Sequence, residues 1–170
     1  MKPLIVACFC SLLLGCFHQK QPVANLEFLS IENVSGDELL SFSSDVKFEI
    51  LYDEKKGEKV VVRWLVCSLD DDTILSIEHD LRVYFRGDIN LKKSGIRDGK
   101  QIFEYLSNGN FFISEDRGTS ENVIPRGDLL LLLKNRDAIS CRVMMTVYLR
   151  DPYYSSIMNI PVANIIDSAR

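Results

Sequence analysis

The sequence predicts an all-β protein, an antiparallel β-sandwich of immunoglobulin-like or transthyretin-like type with about eight strands. Apolar and polar residues alternate with a period of two along much of the chain, as in strands that have one solvated face. Segments rich in Gly, Asn, Asp and Ser separate these alternating stretches, as turns do. Hydrophobic residues make up 46% of the 170 positions and charged residues 26%, which is typical of a globular domain.

The first element along the chain is a short apolar segment behind a basic start. Residues 4–14 are apolar except for Ser11, and they follow Met1-Lys2-Pro3. As a helix they would be about 16 Å long at 1.5 Å per residue, half of a ~30 Å bilayer core. The segment is therefore too short to span a membrane, and it matches the apolar region of a secretory signal peptide.

The apolar segment ends in Leu13-Leu14-Gly15-Cys16, which resembles the lipobox of bacterial lipoproteins. The resemblance implies cleavage before Cys16, a diacylglyceryl group on its sulfur and an acyl chain such as palmitate on its new amino group. Several acyl chains give stable attachment to a membrane. Phe17, where retention in the inner membrane would call for aspartate, favours the outer membrane. An ordinary cleaved signal peptide or a short uncleaved anchor is the alternative.

These features divide the chain into three parts. Residues 1–15 are predicted to be the lipoprotein signal peptide, residues 16–25 a lipidated tether, and residues 26–170 a single β-sandwich domain. The polar tether would keep the folded domain close to the membrane.

The strands of the domain are predicted next, in chain order. Residues 45–50 alternate cleanly, and residues 60–69 are rich in β-formers and apolar on both faces, as in a central strand. Further short strands are predicted at residues 73–78, 81–85, 101–106 and 111–114. Glycines 87, 95 and 99 indicate a looser region, and Asn108-Gly109 indicates a hairpin turn.

The C-terminal part carries the clearest strand. Residues 137–150 alternate throughout and end before Pro152, which cannot donate to a strand ladder. The apolar run at 129–134 has helix-forming residues, but its length and neighbours favour a strand. Residues 35–43 are expected to hold one helical turn. The tripeptide Arg-Gly-Asp occurs at 86–88 and 126–128, and both copies are predicted to be turns, because Gly and Asp are common turn residues.

Two cysteines remain in the predicted domain, Cys67 and Cys141. The oxidising periplasm favours a disulfide between them, worth about 4 kcal/mol in the chain-entropy model. In a regular strand Trp64 lies on the opposite face from Cys67, so that if Trp64 faces the core the disulfide needs a bulge or a second covered surface. Two buried free thiols are the alternative.

Catalytic and metal-binding patterns are not found in the sequence. His79 is the one histidine outside the tether, and a solvated turn is the ordinary place for it. No spacing matches a zinc site, a nucleophile–histidine arrangement or a phosphate-binding loop. Asp70-Asp71-Asp72 is expected to be a solvated turn. We therefore predict a protein that is not an enzyme and has no catalytic residue, metal or cofactor.

Two aromatic pairs are candidate partner contacts: Phe111 with Phe112, and Tyr153 with Tyr154. Aromatic side chains near turns are favoured in protein interfaces, although packing in the core is the alternative. The formal net charge of −4 argues against nucleic acid as a partner.

Together these observations predict a lipid-anchored periplasmic protein of the outer membrane that binds a protein partner. It would act as an assembly component of a cell-envelope complex of the secretion-system or pilus type. The alternative is a surface-exposed lipoprotein that binds, excludes or inhibits another molecule.

Overall fold

The fold consists of nine strands and three short helical segments in the part of the chain that is described. The computed structural model describes residues 21–34, 36–52, 57–70, 75–76, 79–115, 120–148 and 150–168. The strands are β1 (Leu26–Val34), β2 (Asp37–Ser44), β3 (Val60–Ser68), β4 (Val83–Arg97), β5 (Lys100–Glu115), β6 (Ser120–Val123), β7 (Ala138–Val147), β8 (Tyr153–Tyr154) and β9 (Met158–Pro161). The helices are α1 (Arg126–Leu133) and α2 (Val162–Ser168), with a 3-10 turn at Phe48–Ile50.

All nine strands belong to one antiparallel sheet. Its order is β1-β2-β5-β4-β3-β7-β8, with β6 paired to β5 and β9 paired to β7. The Ser156 backbone N–H donates to the Ala24 carbonyl over 2.8 Å, and β1 contacts β9, so the two edges of the sheet approach each other. The all-β, sandwich-like class is confirmed, as one sheet that curls around its core.

The core occupies the concave side of the curled sheet. β7 contributes alternate residues, among them Cys141, Val143 and Met145, all fully buried. The 3-10 turn covers part of the core with Phe48, whose ring packs against Tyr105 at 4.9 Å. The Tyr105 hydroxyl accepts the Phe48 N–H and donates to Glu49, which supplies the polar partner that a buried phenol needs.

The β4–β5 hairpin differs most from the prediction. β4 continues as a strand through Gly87 and Gly95, with one register shift between Leu91 and Lys93, and β5 runs through Asn108-Gly109. The predicted hairpin turn is therefore absent, and the predicted looser region is part of a strand. The reversal occurs instead at Asp98-Gly99, where both residues have positive φ (51° and 74°) between the paired Arg97 and Lys100. A two-residue loop of this type fits the twist of a hairpin.

Other local predictions have mixed outcomes. The strands at 60–69 and 137–150 are confirmed as β3 and β7. The strand predicted at 45–50 is wrong, because the chain forms the 3-10 turn, in which Phe48 is buried and Ile50 is 72% exposed. The predicted helical turn at 35–43 is wrong, because β2 occupies that segment. Residues 1–20 and most of 71–78 lie outside the described residues.

The apolar run at 129–134 is a helix, and the predicted strand is wrong there. In α1, Leu129 and Leu133 are four residues apart and both are buried, whereas Leu131 and Leu132 between them are exposed. This spacing places one side of the helix against the core, in agreement with the high helix propensity of leucine.

Candidate protein-binding face

The predicted disulfide is present in the centre of the sheet. Cys67 on β3 lies directly opposite Cys141 on β7, and their sulfurs are 2.06 Å apart. Both residues are fully buried on the concave side. The bond therefore joins two neighbouring strands that are separated by 74 residues of sequence.

Trp64 lies on the opposite, convex side of the same strand. There it packs against a second apolar cluster, formed by Val66, Leu75, Leu81, Tyr84 and Met144, to which Phe112 and Tyr154 also belong. β3 pairs with β7 in regular register from Val62 to Ser68, so no bulge separates Trp64 from Cys67. The sheet thus has a second covered surface, which is why both residues are accommodated on one regular strand.

An arginine lies among the aromatic rings of this convex cluster. The Arg86 guanidinium carbon is 4.8 Å from the ring centre of Trp64, 5.2 Å from that of Phe112 and 5.9 Å from that of Tyr84. Each distance lies within the range of cation–π attraction. We refer to Trp64, Tyr84, Arg86, Phe112 and Glu121 as the Arg86 face.

Glu121 on β6 holds the guanidinium in place. Arg86 donates two hydrogen bonds to its carboxylate, Nη1 to Oε1 over 2.8 Å and Nη2 to Oε2 over 2.6 Å. The Tyr84 hydroxyl also donates to Oε1. Parallel bonds of this kind fix both the position and the orientation of an arginine.

The environment of the Arg86 face shifts the pKa values of Glu121 and Tyr84. The hydrogen bonds from Arg86 lower the pKa of Glu121, assisted by the bond from Tyr84 and against the effect of burial. Burial, followed by the hydrogen bond to Glu121, raises the pKa of the Tyr84 hydroxyl. Glu121 is therefore ionised and Tyr84 is neutral at neutral pH, which keeps the Arg86 network intact.

A second arginine lies beside the same cluster on β7. The Arg142 guanidinium carbon is 4.6 Å from the ring centre of Tyr154, and its two terminal nitrogens donate to the carbonyls of Leu75 and Ser155. Burial lowers its pKa. Arg142 thus fastens the segments at 75–76 and 153–155 to the convex surface.

The structure separates the four predicted partner contacts into two sets. Phe112 and Tyr154 belong to the convex cluster and are partly exposed. Phe111 and Tyr153 are 3% and 5% exposed and lie in the core, Phe111 edge-on to Phe85. The core alternative therefore describes Phe111 and Tyr153, because adjacent residues of a strand point to opposite sides.

Neither Arg86 nor Glu121 was predicted from the sequence to be a site residue. The tripeptide at 86–88 is not a turn but lies within the first half of β4, and the copy at 126–128 opens α1. Arg86 meets Trp64 and Phe112 only because β3, β4 and β5 are neighbours in the sheet, an arrangement that a sequence pattern does not reveal.

The other polar residues noted in the sequence have structural roles where they are described. Asp70 accepts the backbone N–H of Arg82 over 2.7 Å, which closes the loop between β3 and β4; Asp71 and Asp72 lie outside the described residues. Among the described residues, no three His, Cys, Asp or Glu side chains are grouped as metal ligands would be. Cys16, the predicted lipidation site, lies outside these residues.

The helices of the described segments are all short, and none is long and apolar enough to cross a membrane. In comparisons with known proteins, the chain matches no family model, no curated protein and no solved structure.

Proposed function

We propose that the protein is a lipid-anchored, non-enzymatic component of the bacterial cell envelope that binds a protein partner through the Arg86 face. The observation that supports this function is the arginine held among three aromatic rings on the convex side of the sheet. Tryptophan, tyrosine and arginine are the residues that contribute most to binding at protein interfaces.

The Arg86 face is ordered and still accessible. The side chains of Arg86 and Glu121 are 28% and 29% exposed, and Trp64 and Phe112 are partly exposed. Because the ion pair and ring contacts already fix these side chains, little further conformational entropy would be lost on binding. A partner that presents an apolar or aromatic group with an acidic or carbonyl oxygen nearby would complement this surface.

The proposed anchor places the domain near the bilayer. Only five residue steps separate Cys16 from Gln21, where the described chain begins, and they span about 17 Å when fully extended. A lipid on Cys16 would therefore keep the domain at the membrane surface, in the periplasm, where its partner would also reside.

Site-specific cross-linking tests the partner interaction. The full chain is expressed with a photoreactive residue in place of Phe112, and in a matched control in place of Leu131, which is 70% exposed on α1. We expect a discrete cross-linked protein at position 112 that is absent at position 131 and is lost when Arg86→Ala is added. Identical cross-linking at the two positions would overturn the proposal.

Lipidation and location are tested separately. Metabolic labelling with a fatty-acid analogue should label the wild-type protein and not Cys16→Ser. Protease added to intact cells should leave the domain uncleaved until the outer membrane is permeabilised. Cleavage of the domain on intact cells would favour the alternative function, a surface-exposed binding or exclusion lipoprotein.

A further inference from the structure

The start of β1, which follows the N-terminal segment, lies at one end of the sheet together with the termini of five other strands. Because the strands are antiparallel, the start of β1, the end of β2, the start of β5, the end of β4, the start of β3 and the end of β7 all lie at this end. We refer to it as the anchor rim. Gln21, where the described chain begins, precedes β1 at this end.

The anchor rim carries several large apolar side chains that are not packed in the core. Among the described residues these are Val23 (56% exposed), Ile50 (72%), Val61 (61%), Ile96 (81%) and Tyr148 (61%). Single exposed apolar residues are ordinary on a protein surface, but a group of them at one end indicates contact with an apolar medium or a partner.

Polar contacts made at or next to these exposed residues connect the segments that carry them. Arg97, next to Ile96, pairs with Glu27 of β1 over 2.7 Å. Glu49, next to Ile50, pairs with Arg63 of β3 over 3.1 Å. The Tyr148 N–H donates to the Lys59 carbonyl over 2.9 Å, beside Val61. These contacts place Ile96, Ile50 and Tyr148 beside the strand ends that form the rim.

The β4–β5 hairpin extends this rim and is basic. β3 pairs with β4 only from Tyr84 to Asp88, so beyond Asp88 the hairpin has no β3 neighbour. Residues 92–101 contain four basic residues and one acidic residue, in a chain whose net charge is −4. Arg97 and Lys93 pair with Glu27 and Glu104, whereas Lys92 and Lys100 are exposed in the same hairpin as Ile96.

We infer that the anchor rim rests on the surface of an anionic phospholipid bilayer. Ile96 and Ile50 contact the lipid at the level of the headgroups, and Lys92 and Lys100 face the lipid phosphates. Apolar side chains flanked by lysine, with tyrosine nearby, are the combination that suits a membrane interface. This inference rests on the proposed lipid anchor, which holds the same end of the domain toward the bilayer.

The contact of the rim with the bilayer would fix the orientation of the Arg86 face relative to the membrane. The Arg86 face lies on the convex side of β3, β4 and β5, toward the end of the sheet opposite the rim, and would remain open to a partner while the rim is on the membrane. A free tether would allow the domain to tumble, whereas a seated rim would hold the Arg86 face at a constant height and orientation.

Fluorescence quenching tests the contact on the full chain, purified from membranes and reconstituted into vesicles of phosphatidylethanolamine and phosphatidylglycerol. A polarity-sensitive thiol-reactive fluorophore is placed at Ile96→Cys or at Ile50→Cys. The matched control is Val123→Cys, which is 56% exposed, less than Ile96 (81%) or Ile50 (72%), and lies on β6 at the opposite end of the sheet. The unsubstituted chain, treated with the same reagent, gives the background.

We expect blue-shifted emission at positions 96 and 50, with quenching by iodide several-fold weaker than at position 123 and quenching by spin-labelled lipid correspondingly stronger. Equal iodide quenching at positions 96, 50 and 123, in protein that floats with the vesicles, overturns the rim contact and leaves the anchor standing. Protein that does not float with the vesicles overturns the anchor and the rim contact together. The cross-linking test of the Arg86 face is independent of both outcomes.

Discussion

Gly87 on β4 lies directly opposite Gly109 on β5, and the two backbones approach so closely that neither position has room for a side chain. A Cβ atom on Gly109 would lie 2.5 Å from the Gly87 Cα and closer still to the Arg86 carbonyl oxygen. A Cβ atom on Gly87 would meet the Ser107 hydroxyl and the Asn108 carbonyl. The pair therefore brings the two longest strands together next to Arg86.

Replacing Gly109 tests this close approach. Gly109→Ala should destabilise the protein by about 2 kcal/mol or more, because the new methyl group meets the backbone of β4 and cannot be relieved by a side-chain movement. Gly95→Ala, in the same hairpin with nothing within 4 Å of the new Cβ, is the matched control and should be neutral or slightly stabilising. Urea denaturation measures both, and equal stabilities would contradict the prediction.

The disulfide should contribute strongly to stability. Cys67 and Cys141 are separated by 74 residues, so reduction should lower the free energy of unfolding by about 4 kcal/mol in the chain-entropy model. Unfolding of the purified protein is compared with and without reductant. The double variant Cys67→Ala with Cys141→Ala should be insensitive to the reductant. Alkylation of both thiols in unreduced protein would contradict the bond.

Acid should loosen the Arg86 face at a pH below the usual carboxyl range. Because the pKa of Glu121 is lowered, its stabilising ion pair with Arg86 is present above the ordinary pKa of glutamate and is lost as the pH falls through the lowered value. Trp64, the single tryptophan, lies 4.8 Å from Arg86 and reports this change by its emission. Glu121→Gln should remove the transition, whereas Glu104→Gln should retain it.

Glu38 should have the opposite pH dependence. It is 5% exposed, accepts a hydrogen bond from Asn33, and its Oε2 has no partner among the described residues. Burial raises its pKa, against the smaller effects of Asn33 and Arg126. Its contribution to stability is complete below the ordinary carboxyl pKa and is lost as the pH rises through the raised value.

A neutral replacement tests this assignment. Glu38→Gln should be more stable than the wild type near pH 7, by about 1–3 kcal/mol, because a buried charge without a full set of partners is removed. The gain should disappear near pH 4. Glu32→Gln, on the exposed side of β1, is the control and should change little at either pH. A gain for Glu38→Gln that is independent of pH would contradict the prediction.

The strands that were predicted well are those whose pattern has one physical explanation. β7 alternates over its whole length, and β3 is rich in β-formers, so both are evident from the sequence. The disulfide follows from these two strands together with the inferred compartment. For Trp64 and Cys67 on opposite faces of β3, a bulge and a second covered surface were both possible. The structure has the covered surface, and the residues that form it come from distant segments.

The elements that were missed each have a competing local signal. The Asn-Gly pair at 108–109 usually marks a hairpin, but here Gly109 is required for close approach to β4, and Asp98-Gly99 forms the turn. Residues 129–134 are apolar throughout, so their period does not distinguish a helix from a strand. The Arg86 face depends on the register of β3, β4, β5 and β6, which no single segment determines.

The hydrogen bonds of Ala24 have a mechanical consequence. Its N–H donates to the Tyr153 hydroxyl, which itself donates to the Pro22 carbonyl, and its carbonyl accepts the Ser156 N–H. Tension transmitted from a membrane anchor would therefore reach β8 and the far edge of the sheet before it reaches β1. A force on the N-terminal segment would first have to break these hydrogen bonds between Ala24, Pro22 and residues 153–156. β1 would separate from β2 only after the two edges of the sheet had separated.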